Sequence, residues 1–129
     1  MDFAEITSEL KALYKDQLGY PHPPVPGLRE AEVLRWSGWV GSRAAVYDQI
    51  ALYLARGFQS SERSFAFCDA VINDLHGVIV GADDHRPDLF WAIFLAFDEG
   101  EYYHGNNRDE DPVEAYTRPM ITRALEGVQ

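Results

Sequence analysis

The segment Leu89–Phe97, LFWAIFLAF, is one of the most apolar stretches of the chain and indicates the fold class. Pro87 and Asp88 precede it, and both suit the start of an α-helix, where proline costs no hydrogen bond and an acid meets the positive helix end. Apolar residues on all sides of such a helix predict that other elements cover it. We therefore expect a buried central helix near residues 88–104.

Apolar residues three and four positions apart recur on both sides of this segment, a spacing that predicts further helices. Their predicted starts are Asp2–Phe3 (a capping box with Glu5), Leu28, Ser42, Ser60 or Ser61, and Asp111–Pro112. Their predicted ends are Gly19, Gly38–Gly41, Arg56–Gly57, Val78–Val80 and Gly127. The sequence thus predicts an all-α, single-domain bundle of about six helices over residues 1–129.

Three segments qualify this pattern. Val78–Val80 is β-branched, so a short strand is the alternative to a helix end there. Pro119 should kink the last helix or split it after Thr117, because proline removes a helical hydrogen bond. Tyr20–Gly27 contains four prolines; we predict a stiff strap between helices, with a polyproline ligand for another protein as the alternative.

The charge balance restricts the partners. The 129 residues include 21 acids against 11 Lys and Arg, a net charge of −10. Such a surface repels nucleic acids and anionic lipids and attracts basic proteins, so we expect a basic protein partner, no nucleic acid and no membrane. Cys68 is the single cysteine, which rules out an intramolecular disulfide. With an acidic start in place of a signal peptide, we expect a cytoplasmic protein.

The acids are densest directly after the apolar segment. Residues 98–114 contain seven acids and one base, Arg108, with tyrosines among them. Tyrosine offers large contact area at low entropic cost, and acids steer a basic partner. The predicted partner-binding residues are Asp98, Glu99, Glu101, Tyr102, Tyr103, Asp109, Glu110, Asp111 and Tyr116. Solvated acids around tyrosines that pack the base of a loop are the alternative.

Glu101–Tyr103 is similar in character to a feature of small acidic helical immunity proteins, which present acids beside a Tyr-Tyr pair. The resemblance covers only these residues and carries no residue roles over. It implies a non-enzymatic interaction module that neutralises a basic, nucleic-acid-cleaving toxin.

Two alternatives belong to other functional classes. Glu101 and His104 have the Glu-x-x-His spacing of di-iron helical bundles, although no second such motif occurs; we instead expect His104 to end a helix at Gly105. Asp69, Asn73 and His76 share one helical stripe and suit acid–base chemistry in a small hydrolytic enzyme, but no nucleophile accompanies them. We predict no metal, no cofactor and no catalytic residue.

A third alternative concerns self-association. Trp36 and Trp39 lie three residues apart and therefore face the same side of a helix. We expect them to anchor helix packing, with a homodimer seam as the alternative.

Overall fold

The computed structural model describes residues 3–14, 27–106 and 108–128. Every regular element in these ranges is helical, and none is a strand. The helices are α1 (Phe3–Tyr14), α2 (Glu30–Val40), α3 (Arg43–Gln59), α4 (Phe65–Gly81), α5 (Asp88–Glu99) and α6 (Arg118–Glu126), with a π-helical turn at Val113–Thr117 before α6. The predicted all-α bundle is confirmed.

Two helices, α3 and α5, form the centre of the bundle. α5 packs against α3, α4, α6 and the π-helical turn, and α3 packs against α2, α4, α5 and α6. The buried residues of α5 are Phe90, Ile93, Phe94, Ala96 and Phe97. Full burial of each phenylalanine or isoleucine side chain contributes about 1.5–3 kcal/mol. α5 is therefore a central helix, although Ala92 on its outer face is exposed.

α5 is shorter than the predicted segment 88–104, because the helix ends at Glu99 and the chain turns at Gly100. A Cβ atom at Gly100 would collide with Thr117 Oγ1 and the ring of Phe65. Glycine here lets the end of α5 lie against the π-helical turn. This long-range contact, which local spacing does not report, sets the end of the helix.

The boundary between α3 and α4 also differs from the prediction. α3 continues through Gly57 to Gln59, and the cap of α4 is Ser64, not Ser60 or Ser61. The Ser64 hydroxyl accepts a hydrogen bond from the Phe67 amide at 3.1 Å. Gly57 lacks a Cβ where the Arg63 side chain crosses α3. Gly57 is thus a packing glycine, and its prediction as a helix end is wrong.

The observed helix boundaries also test the other predictions about secondary structure. Val78–Val80 lies within α4, so the strand alternative is wrong. Pro119 was predicted to kink the last helix or split it after Thr117; the backbone instead stays helical there, and the π-helical turn that ends at Thr117 continues directly into α6 at Arg118. The Arg118 amide donates to the Val113 carbonyl, five residues back. The Ser42 cap of α3 is confirmed by a 3.0 Å bond from the Ala45 amide to its hydroxyl.

Trp36 is fully buried within its own chain, and its indole N–H donates to Glu9 Oε2 at 2.9 Å. It therefore anchors α2 on α1, as predicted, and it does not present a dimer surface. The predicted helix end at Gly19, the cap residue Asp2 and the Tyr20–Pro26 part of the strap lie outside the described residues. In the described ranges, no helix has the length and apolar character needed to cross a membrane.

Candidate partner-binding site

The predicted partner-binding face is formed by the end of α5 and by the loop that connects α5 to the π-helical turn. Thr117 is fully buried, and its hydroxyl donates to the Ala96 carbonyl at 2.7 Å. Asp111 begins the returning segment, with its Oδ1 accepting from the Val113 amide at 3.0 Å. The loop 100–111 is thus held at both ends by hydrogen bonds and packing.

Three stacked rings organise this loop. The ring of His104 lies between Tyr102, at 4.5 Å between centroids, and Tyr116, at 3.8 Å. His104 Nε2 lies 2.8 Å from the Glu99 carbonyl oxygen and 3.1 Å from Glu99 Oε2. Because both oxygens only accept, this nitrogen carries a proton. His104 therefore caps the end of α5 from outside the helix, whereas the sequence predicted it in the last helical turn.

Hydrogen bonds to acids hold the two stacked tyrosines. The Tyr102 hydroxyl donates to Glu99 Oε2 at 3.1 Å, and this bond raises the pKa of Tyr102. Tyr116 bonds to Glu110, which raises the pKa of Tyr116 in the same way. Both phenols consequently remain neutral hydrogen-bonding groups at physiological pH.

Tyr102 and Tyr103 are the exposed aromatics of this face, 49% and 46% accessible. Tyr102 is fixed by the stack, whereas Tyr103 lies beneath Arg108, whose guanidinium carbon is 4.9 Å from the ring centroid. Arg108, the single base of the segment, therefore covers part of the predicted face.

The predicted acids do not form one uniform patch. Asp109 and Asp111 are exposed, and Glu110 is half-buried at Tyr116. Asp98 is half-buried, and its pKa is raised by burial and then by the charges of Glu101 and Glu99. The face thus has an outer acidic part, 109–111, and an inner acidic part directed towards α4.

The inner part joins two groups that the sequence kept separate. Glu101 Oε2 accepts from Asn73 Nδ2 at 2.8 Å, and the same nitrogen lies 3.1 Å from Asp69 Oδ1. Asp69 also bonds to Glu101, and burial together with this second carboxyl raises the pKa of Asp69. Two carboxyl groups joined by a hydrogen bond favour the state in which one of them keeps its proton, because charging both is costly.

His76 does not join Asp69 and Asn73, although all three lie on one stripe of α4. Its ring packs at a tilt against Phe94 and Trp91, with centroid distances of 4.4 and 5.6 Å. Burial is the main cause that lowers the pKa of His76. None of five well-formed cavities among the described residues is lined by these three side chains. The geometry therefore lacks the base–acid contact that the acid–base alternative requires.

The Glu101 and His104 side chains also have different partners, Asn73 and Glu99. In the described parts of the chain, no group of three or more His, Cys, Asp or Glu residues is placed to hold a metal ion.

Sequence reasoning missed two contributors to this face, His104 as the centre of the ring stack and Asn73 as the bridge to α4. The Glu-x-x-His spacing drew attention to His104 for a different reason. The sequence did contain one sign of this stacking, namely Tyr102 two positions before His104 in a segment outside any helix. The contact with Asn73 spans 28 residues, and no local pattern reports it.

Comparisons of the chain with protein-family models, with curated proteins and with solved structures give no match.

Proposed function

We propose that this chain is a non-enzymatic interaction module that binds a basic protein through the face formed by residues 98–111 and Tyr116. The observation that carries the proposal is the pair of half-exposed tyrosines, Tyr102 and Tyr103, surrounded by acids. Tyrosines at the centre of an acidic rim are typical of interfaces with basic partners, in which the aromatics supply affinity and the acids supply steering.

The ring stack supports this proposal because it prepares Tyr102 before a partner arrives. A side chain that is already ordered loses little conformational entropy on binding. Tyr102 is fixed by His104 on one face and by Glu99 at its hydroxyl. A nucleic-acid-cleaving toxin is one class of basic partner, in line with the resemblance of Glu101–Tyr103 to immunity proteins.

Site-specific photo-crosslinking in the source cells tests the proposal. A benzoylphenylalanine replaces Tyr103 in one variant and Leu34 in the control, because Leu34 on α2 is a comparably exposed apolar residue, 52% accessible. We expect position 103, and not position 34, to crosslink one protein with a basic isoelectric point. An acidic crosslinked protein, or none, contradicts the proposal.

Affinity measurements with the captured partner then test the residues. Tyr102→Ala should weaken binding by more than about tenfold, as expected for an ordered aromatic anchor. Tyr103→Ala should cost less, because Arg108 already covers its ring. Charge reversal by Glu101→Lys should mainly slow association and reduce its salt dependence. Equal affinity of all three variants and the wild type places the interface elsewhere.

A further inference from the structure

A cationic region lies between α1, α3 and the loop that joins α3 to α4. Two adjacent cavities, of about 480 and 230 Å³, share Tyr53 and Arg63 in their walls. Arg56 lines the larger cavity, and Lys11 and Glu62 line the smaller one. Three bases thus meet one acid here, the reverse of the balance of the whole chain, in which acids outnumber bases 21 to 11.

Two hydrogen-bond donors in this region are unsatisfied. The guanidinium of Arg63 lies over the ring of Tyr53, at 3.6 Å from the centroid. Arg63 Nε and the Tyr53 hydroxyl are both buried, and neither has a hydrogen-bond partner among the described residues. Buried donors are nearly always paired in native proteins, and an exception points to a bound group that supplies the acceptor.

Among the described residues, three arginines form an ion pair and the others do not. Arg35, Arg43 and Arg118 each form an ion pair with a carboxylate. In the described part of the chain, Lys11, Arg56 and Arg63 form none. In a protein whose net charge is −10, these three bases have no ion-pair partner among the described residues.

We propose that this region binds a small organic anion, whose oxyanion head group accepts hydrogen bonds from Arg63 and Tyr53. Phe3 and Leu52 line the larger cavity beside the two arginines and provide an apolar wall for the body of the ligand. A concave, mainly apolar cavity of this size with a few convergent polar groups is typical of small-molecule sites. The site is separate from the acidic face and does not depend on the proposed function.

The path to the two donors passes through the Arg63 side chain. It lies across Gly57, where a Cβ atom would collide with the guanidinium and with Cδ. Glycine at this position lets the arginine side chain pack directly on the backbone of α3. In the proposed complex the Arg63 side chain turns so that Nε faces the cavity, and the ligand supplies the anionic partner that Arg63 lacks among the described residues.

Amide-resolved NMR titration with benzoate and with phenyl phosphate tests the site. Benzyl alcohol is the neutral probe of the same size. We expect saturable shifts at Tyr53, Arg63 and Ser64 with at least one anion and none with benzyl alcohol. The tighter of the two anions identifies the head group, carboxylate or phosphate.

Three variants separate a specific site from general attraction. Arg63→Gln and Tyr53→Phe should each weaken binding, the arginine change by about tenfold, which corresponds to the loss of a charge-assisted hydrogen bond. Arg123→Gln, an exposed arginine of α6, removes the same charge elsewhere and should leave the affinity unchanged. Tyr53→Phe should not lower the melting temperature, because it removes only an unpaired hydroxyl.

Four results would contradict the proposed anion site. Absence of saturable shifts with both anions, unchanged affinity in Arg63→Gln, or an equal loss in Arg123→Gln each contradicts a built anion site. Equal shifts with benzyl alcohol show an apolar cavity without anion recognition.

Discussion

Asp69 and Glu101 bring two carboxyl groups together between α4 and the loop after α5, with Asn73 bound to both. The pair stores electrostatic repulsion unless one proton is retained. Burial, followed by the hydrogen bond to Glu101 and its charge, raises the pKa of Asp69 from 3.8 to about 8. In the folded protein Asp69 therefore holds a proton across most of the physiological range.

The first prediction follows from this proton. The pKa of Asp69 is raised on folding, so its stabilising effect is full below about pH 4 and is lost as the pH rises through about 8. In that window the free energy of unfolding falls by at most about 1.4 kcal/mol per pH unit for one proton. Asp69→Asn should remove the contribution of Asp69 to this slope and be more stable than the wild type at pH 8–9. Urea unfolding from pH 4 to 9 measures it.

The matched control is Asp83→Asn, an exposed aspartate in the turn after α4. It should leave the slope of the wild type unchanged. The opposite contribution of His76, whose pKa is lowered, is present in both proteins and cancels in the comparison. The contributions of Asp48, Asp74 and Asp98, whose pKa values are raised, cancel in the same way. A wild-type slope that persists in Asp69→Asn contradicts a shared proton at this position.

Capping from other elements fixes both ends of α5. The Phe90 amide, in the first turn of α5, donates to Asp48 Oδ1 of α3 at 3.0 Å. At the other end, His104 binds the Glu99 carbonyl oxygen. Helix ends leave backbone groups unpaired. Here Asp48, distant in the sequence, supplies a partner at the start of α5, and His104, in the loop that follows the helix, supplies one at its end. The central helix is therefore positioned by its caps as well as by its buried side chains.

The second prediction concerns the cap from α3. Asp48→Ala should lower the free energy of unfolding by about 1 kcal/mol, because it leaves the Phe90 amide without its acceptor. Asp48→Asn keeps an acceptor oxygen and should be neutral or slightly stabilising, since burial raises the pKa of Asp48 and makes its charge costly. Urea midpoints at pH 7 compare the three proteins. An alanine variant as stable as the wild type shows that the cap contributes nothing.

These caps explain how far the sequence predicts the elements. The apolar spacing predicts every helix of the described ranges, because that signal is local. Pro119 marks the region in which the π-helical turn gives way to α6, without a break in the helical backbone. The ends near Gly57 and Gly100 are set by Arg63, Thr117 and Phe65, which come from other elements. The tyrosine and acidic residues of the candidate face are visible in the sequence as a cluster. Their division into a ring stack and a carboxyl pair depends on contacts with α4 and the π-helical turn.

At the scale of the molecule, the third prediction tests whether the chain is one cooperative domain. Trp36 and Trp39 lie on α2, and Trp91 lies on α5, so tryptophan fluorescence reports on two distant helices. Because α3 contacts both α2 and α5, loss of either helix removes part of the shared core. Fluorescence and far-ultraviolet circular dichroism should give coincident urea transitions. Separate midpoints contradict a single domain.

The fourth prediction concerns how the charge of Glu101, in a protein with a net charge of −10, affects stability. Such a charge destabilises the compact state by self-repulsion, and salt screens it over about 10 Å at 0.1 M. Glu101 adds to this repulsion, since its charge raises the pKa of both Asp69 and Asp98. Glu101→Gln keeps a hydrogen-bond acceptor for Asn73 but removes the charge. It should therefore raise the melting temperature at pH 8 and low salt, with a smaller gain at high salt.

The same variant should bind a basic partner more weakly, because the charge that destabilises the free protein attracts the partner. Glu126→Gln, an exposed acid at the end of α6, removes one charge far from the carboxyl pair. It should change the melting temperature and the affinity for the partner only slightly, through the change in net charge. A Glu101→Gln protein that is no more stable than Glu126→Gln refutes a local repulsion at the pair. One that gains stability without losing affinity shows that the inner acids do not belong to the interface.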